Sequence, residues 1–321
     1  MVTRKDVADL AGVSVTVVSR VINNKGYVSK EKRDRVQKAI KELGYTPNLI
    51  ARGLKTNETK QLMFYSPDKF NPFYTEVYQG MEDYAMEQGY TIVVSRHFCD
   101  EVVRQRRFDG LIMSEITNDN QDKITNLGIP VVATDYNHSR LSIPSVGIDM
   151  REGARKAVSY LINCGHTNIA YVTDSDSFSD QRFLGYVDEL RNNGIEYDRE
   201  KVKIQLEEDN MYEKGYNAGV NILKGNKDIT AVFTFNDAIA IGLMAAINEG
   251  GLRIPEDISV VGFDNILASR YTVPPLTTIH VPKYEQGREC AKMLINMIQG
   301  KNESEVMLHT HLIERSSVRN I

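Results

Sequence analysis

The stretch Arg4-Lys5-Asp6-Val7-Ala8-Asp9-Leu10-Ala11-Gly12-Val13-Ser14-Val15-Thr16-Val17-Val18-Ser19-Arg20-Val21-Ile22 decides how the chain begins. Val7, Leu10 and Ala11 stand at i, i+3 and i+4, one apolar helical face, and Thr3 is placed to cap it. Gly12 supplies a turn because it tolerates positive φ. Ser14 caps a second helix over 15–22, whose Val18, Val21 and Ile22 repeat the inward pattern. Ser29 opens a third helix to Leu43, with Val36, Ile40 and Leu43 inward and Gly44 ending it. A helix, a glycine turn and a second helix make a helix-turn-helix, in which the start of the second helix meets base edges in the major groove. Val15 suits a thymine methyl, with a core position as its alternative. Thr16 suits a hydrogen bond or a methyl contact. Arg20 suits a bidentate guanine contact or a phosphate.

Charge supports this reading. Residues 1–60 hold thirteen Lys/Arg against six acids, a balance of +7, while the rest holds 26 against 37, a balance of −11. A basic head on an acidic body is the asymmetry of a nucleic-acid-binding module joined to something else. The opening residues lack the apolar core of a signal peptide, and no apolar run approaches the roughly 18 residues of a membrane span, so a cytoplasmic protein with no membrane partner is expected. Cys99, Cys164 and Cys290 are scattered and share no metal-ligand spacing. His309 and His311 are the only close histidine pair, and no carboxylate or cysteine pair joins them. Neither a metal nor a cofactor is expected.

From residue 61 short apolar runs alternate with amphipathic helices. Strands are read at 62–65, 91–94, 110–113, 130–133, 145–149, 169–172, 231–234 and 259–262, with helices near 74–88, 150–164, 180–193, 212–224 and 237–249. Continuous apolar strands between helices mean parallel sheets covered on both faces. Two such series imply two Rossmann-like lobes with a ligand at the C-terminal strand ends. No G-x-G-x-x-G opens a strand-to-helix turn and no nucleophile–base pair stands out, which argues against a dehydrogenase and against an enzyme generally.

The combination Val7-Ala8-Asp9-Leu10-Ala11-Gly12-Val13-Ser14, Val18-Ser19-Arg20-Val21-Ile22-Asn23, Gly44-Tyr45-Thr46-Pro47-Asn48 and Ala51-Arg52-Gly53-Leu54 resembles the LacI/GalR family of bacterial transcription regulators. Asn71-Pro72-Phe73-Tyr74, Ser145 to Asp149, Gly165-His166, Asn236-Asp237, Gly262-Phe263-Asp264 and Leu276-Thr277-Thr278-Ile279 extend the likeness along nearly the whole chain. The resemblance implies an all-α helix-turn-helix head (1–46), a hinge helix and linker (47–60) and an α/β effector-binding and dimerisation body (61–321). That body has two Rossmann-like lobes of the periplasmic-binding-protein-like (type I) fold, the first about 61–150 and 283–305, the second about 151–282 and 306–321. Between Thr91 and Gly110 the chain runs about ten residues short of the usual family spacing.

It implies a DNA-contacting set of Thr3, Ser14, Val15, Thr16, Ser19, Arg20, Asn23, Tyr45, Asn48, Ala51, Arg52, Leu54 and Lys55. Two short hinge segments, unstable alone, would pair in the minor groove, where Leu54 wedges between base steps; from the residues alone the segment reads as a flexible linker. In the body, Phe73 and Tyr74 match a ligand-facing pair and Arg182 a ligand clamp. Asp135 ends a strand, Asn236 and Asp264 end two strands of the second lobe, and Asp176, Phe178 and Asn210 lie in loops that vary with ligand. Taken singly, Asn236 also fits a helix cap, Asp264 a loop cap and Phe73 the core. Acids, amides, one Arg and aromatic faces suit a polyhydroxylated ligand. The expectation is a homodimeric repressor on a pseudo-palindromic double-stranded operator, released by a small molecule, a sugar or sugar derivative. A corepressor-dependent regulator and a sugar-binding transport protein are the alternatives, and the absence of a C-terminal leucine heptad argues against a coiled-coil tetramer.

Overall fold

Helix α1 (Arg4–Ala11) starts where Thr3 and Asp6 hydrogen-bond reciprocally. The Asp6 carboxylate accepts from the Thr3 N–H at 2.7 Å, and the Thr3 hydroxyl accepts from the Asp6 N–H at 3.4 Å. This capping box satisfies two donors that a helix start leaves open and holds the Asp6 carboxyl below its ordinary range. Gly12 ends the helix at φ 62°. Helix α2 (Val15–Ile22) follows after Ser14, whose hydroxyl accepts from the Val17 N–H at 3.4 Å, and α3 (Lys30–Leu43) ends at Gly44 with φ 60°. Ser29 precedes α3 but makes no side-chain cap bond.

In this computed structural model the described residues are 2–22, 26–45, 58–67, 71–106, 108–134, 143–174, 180–204, 210–225 and 228–321. They fall into two compact units, Met1–Lys60 and Gln61–Ile321. The core of the first joins Val7, Ala8, Ala11, Val18, Val21, Val36, Ala39 and Tyr45. Leu10, expected inside, is 48 % exposed and Ala8 is buried instead. Helix α1 packs on both α2 and α3, so its inward face is centred on Val7, Ala8 and Ala11, and the small Ala8 lets the helices approach.

The second unit contains two lobes. In the first, β1 (Gln61–Tyr65), β2 (Thr91–Ser95), β3 (Gly110–Met113) and β4 (Val131–Ala133) form a parallel sheet in the order β2-β1-β3-β4. A bridge from Ala133 to Ser145 carries it on to β5 (Val146–Ile148), which pairs in parallel with β11 (Val306–Leu308). Helices α4 (Pro72–Glu87), α5 (Asp100–Arg106) and α6 (Asn118–Thr125) connect these strands. The short segment before Gly110 therefore holds a helix of only seven residues.

In the second lobe the order is β12-β10-β9-β8-β6-β7, built from β6 (Ile169–Thr173), β7 (Val202–Ile204), β8 (Ala231–Thr234), β9 (Ser259–Asp264), β10 (Thr277–His280) and β12 (His311–Ile313). Only β12 runs antiparallel, with His280 opposite His311. Helices α7 (Met150–Asn163), α8 (Gln181–Asn192), α9 (Met211–Gly225) and α10 (Asp237–Glu249) cover it. The central strands are buried along their whole length, as two-sided cover requires.

Helix α11 (Lys283–Ile298) leaves the second lobe after β10 and packs on α4, β3, β4 and β5. A Cβ on Gly80 would lie 2.0 Å from the Tyr284 carbonyl oxygen, and one on Gly287 would lie 1.9 Å from that of Val77, so the α4–α11 contact is backbone against backbone. The chain passes between lobes after β5, after β10 and after β11. The last passage follows Leu308 rather than residue 306, because Val306–Leu308 still pair with β5.

Candidate functional site

The polar residues converge at the C-terminal ends of the second-lobe strands. Asp264 closes β9 with φ 104° and Asn265 follows with φ 54°, both in the left-handed region that side chains other than glycine seldom adopt. Asp264 is 4 % exposed, and its Oδ1 has no hydrogen-bond partner among the described residues. Burial pushes its carboxyl up to about 6, partly offset by Arg182 and Lys283. Arg182, in the first turn of α8, lies with its guanidinium carbon 4.0 Å from the Phe235 ring centre and 4.9 Å from that of Phe263. Its Nη1 is 3.8 Å from Asp180 Oδ2. Two rings thus hold the planar cation in place, as cation–π attraction favours, near the Asp264 carboxylate.

Behind Asp264 sits Asp237, fully buried. Its carboxylate accepts from the Thr278 hydroxyl at 2.6 Å and the Ile266 N–H at 2.8 Å, tying β10 to the turn after β9. Burial and the neighbouring Asp264 charge raise its carboxyl to about 8. Arg315 donates to Asn265 Oδ1 at 2.6 Å, which aims the Asn265 amide nitrogen at His280 Nδ1, 3.0 Å away. His280 lies against His311 with ring centres 4.6 Å apart, and burial with nearby Lys283 and His311 lowers it to about 4.

The first lobe brings aromatic faces. Asn71 caps α4 by accepting from the Phe73 N–H at 3.0 Å. Phe73 packs against the hydrophobic clusters of both lobes and meets Tyr74 edge-on at 5.2 Å. Ser66 and Ser114, at the ends of β1 and β3, keep buried hydroxyls with no partner among the described residues.

Two expected contacts have another local use. Asn236 is 3 % exposed and its Oδ1 accepts from the Ile239 N–H at 2.9 Å, capping α10. Asn210 is exposed and accepts from the Tyr212 N–H at 2.9 Å at the start of α9. Phe73, Tyr74, Arg182, Asn236 and Asp264 therefore border the strand ends, whereas the Asn210 side chain serves its own helix.

In the head unit, Ser14, Val15, Thr16 and Arg20 are exposed and Ser19 half-buried. The Arg20 stem runs beside Gly26, where φ is 76°. Thr3 is exposed and holds the capping box. Tyr45, expected at DNA, is 8 % exposed within the head core, because the turn at Gly44 folds it back onto the helices.

The description "Bacterial regulatory proteins, lacI family" matches residues 3–48, and "Periplasmic binding protein-like domain" matches residues 158–318. The chain is 33 % identical to the HTH-type transcriptional repressor PurR of Vibrio cholerae serotype O1 (strain M66-2), over 100 % of this chain and 99 % of that one. The chain is a lacI-family regulator. Among solved structures, the lac repressor dimer bound to operator and the anti-inducer ONPF is similar, with TM-score 0.84 and 28 % identity over 99 % of both chains. The transcriptional regulator CelR–cellobiose complex is similar with TM-score 0.73 and 30 % identity, covering 99 % of this chain and 100 % of that one.

As a lacI-family member the protein is a DNA-binding transcription regulator, with a helix-turn-helix head followed in the chain by two α/β lobes. Asn23, Asn48, Ala51, Arg52, Leu54, Lys55, Asp135, Asp176 and Phe178 lie outside the described residues. Among the described residues no group of three or more His, Cys, Asp or Glu side chains is placed to hold a metal, and no helix is long and apolar enough to cross a membrane. The expected site set omits Phe235, Phe263, Asp180, Asp237, Lys283, Ser66 and Ser114, although Asp237 and Phe263 stand in the motifs that carry the resemblance. Phe235 and Phe263 each precede a residue that was singled out, and their place beside Arg182 needs the sheet. Tyr27, 89 % exposed between α2 and α3, was also passed over.

Proposed function

We propose that this regulator is a homodimeric, cytoplasmic repressor and not an enzyme. Its basic heads grip a pseudo-palindromic operator, and a small molecule held between the lobes weakens that grip. The observation that carries the ligand site is the buried Asp264 carboxylate with one oxygen unpartnered beside Arg182. A buried acceptor left open costs free energy unless a donor arrives, and a ligand hydroxyl or N–H supplies one. The reading of residues 1–46 as DNA head, 47–60 as hinge and 61–321 as effector body follows from the family.

Dimerisation is supported by Leu267, Tyr271 and Val273 of the second lobe, which are 66 %, 77 % and 84 % exposed between β9 and β10. Large apolar side chains left exposed so close together in sequence fit an association site. Linkage supplies the mechanism: a ligand that binds the DNA-competent arrangement less well shifts the population away from it. Heads bound about one helical turn apart tolerate little change in separation.

A carbohydrate is the first ligand class. The similar CelR structure holds cellobiose, and a carboxylate, a guanidinium and aromatic faces suit hydroxyls and C–H surfaces. A planar nitrogen heterocycle is the second reading, favoured by full-length relatives named PurR and by ring faces at Phe73, Tyr74, Phe235 and Phe263. Thermal shift against sugars, nucleobases and nucleosides separates the two, since a bound ligand raises the melting temperature by mass action. Operator-containing duplexes selected from a random pool should shift with steep salt dependence and be released by the ligand. Absence of any duplex binding at low salt would refute the repressor reading; tighter DNA binding with ligand would make the compound a corepressor. Arg20→Ala should weaken selected-duplex binding about 10- to 100-fold.

A further inference from the structure

Lys283 is a lysine with a fully buried side chain, which is rare unless its ammonium is paired. It opens α11, the helix that returns to the first lobe. Its Nζ donates to the Asp264 carbonyl, approaches the Asn265 carbonyl at 3.4 Å and the Val281 carbonyl at 3.5 Å, and pairs with Glu76 Oε1 of α4 at 3.4 Å. One cation therefore faces a first-lobe carboxylate and the carbonyls of the second-lobe turn in which both Asp264 and Asn265 have positive φ. Such backbone persists only where its surroundings hold it. The same turn carries the carboxylate read above as an effector contact.

We propose that Lys283, seated by Glu76, is the positioning residue that fixes the Asp264–Asn265 turn against the first lobe and so makes occupancy at Asp264 bear on the angle between the lobes. This deepens the effector-site reading and rests on it. Glu76 aligns the ammonium, the ammonium holds the two carbonyls, and a ligand donor on Asp264 acts on a turn that is already tethered across the cleft.

The test needs neither ligand nor DNA. Spin labels on Cys99, the exposed native cysteine, and on a cysteine introduced by Lys224→Cys at an exposed position of α9 report the distance between lobes by double electron–electron resonance. Diluted into an excess of unlabelled chain, so that distances between protomers are suppressed, the otherwise native chain should give one narrow distribution. Glu76→Gln, at a half-exposed side chain, should broaden and shift it. Lys283→Met should move it further in the same direction. If Lys283→Met fails to fold, Glu76→Gln decides alone. Distributions that superimpose on the parent in every variant that folds would overturn the proposal, whatever happens to stability. A chain that binds no duplex would instead sink the repressor reading and leave this distance measurement standing.

Discussion

In the first lobe Gly80 and Gly287 let α4 and α11 cross backbone to backbone, and in the second lobe Gly215 and Gly242 do the same for α9 and α10. The strand ends of the two lobes are unlike. The second lobe ends in charge: the buried carboxylates of Asp237 and Asp264, the Arg182 guanidinium, and the Arg315 guanidinium bonded to Asn265. The first lobe, among its described residues, ends in the hydroxyls of Ser66 and Ser114 and the rings of Phe73 and Tyr74. Shared helix packing sets the stability of each lobe, and divergent strand ends set what each offers a ligand. The second lobe supplies fixed charge and the first supplies surface.

The largest expected effect tests the shared half of that comparison. Gly287→Ala and Gly242→Ala place a methyl against a carbonyl oxygen 1.9 Å away in both lobes, and each should lower the free energy of unfolding in urea by about 3 kcal/mol. Tolerance in one lobe alone would show that the two crossings are not equivalent. The next effect concerns the unlike half. Asp264→Asn should weaken binding of the compound found by thermal shift by about 10- to 100-fold, since a charged hydrogen bond is worth roughly 1.5–3 kcal/mol, while Ser114→Ala should change it less than about threefold. Calorimetric titration compares the two, and the reverse order would invert the assignment of charge and surface.

A smaller effect appears in pH dependence. The Asp237 carboxyl rises from 3.8 to about 8 in the folded chain, so the folded state holds a proton the unfolded state has lost. Its contribution is present at low pH and is lost as pH rises between those values. Asp237→Asn should flatten the fall in melting temperature between pH 5.5 and 8, by at least about 1 kcal/mol in unfolding free energy. His280 works in the opposite sense, losing stability as pH falls from 6.5 to about 4, and provides the control. The smallest effect is Ser66→Ala, which removes a buried hydroxyl without a described partner and should leave stability unchanged or raise it by up to about 1 kcal/mol in urea unfolding.

How far the sequence reached depends on the range of the interaction. The head was legible nearly to the residue, because Thr3, Gly12 and Gly44 act within four positions of themselves. The exchange of Leu10 for Ala8 came from helix–helix packing, which a single helical period does not contain. Asn236 and Asp264 were visible as polar strand ends, yet capping and ligand contact call for the same side chains at the same place. Asn236 is spent on a helix start, while Asp264 leaves an oxygen over. Lys283 was invisible: its partners stand at Glu76 and Asp264, far off in the chain. The histidines teach the same point, since the close pair in sequence is His309 and His311, whereas the sheet sets His311 against His280.

The threefold passage of the chain between the lobes also restricts how they can move. A single strap would let two bodies drift apart in any direction. Three straps, each continuous with a hydrogen-bonded strand, leave little freedom to slide or separate, and chiefly the freedom to twist. On the function proposed above, a ligand at Asp264 would act on the two lobes as torque.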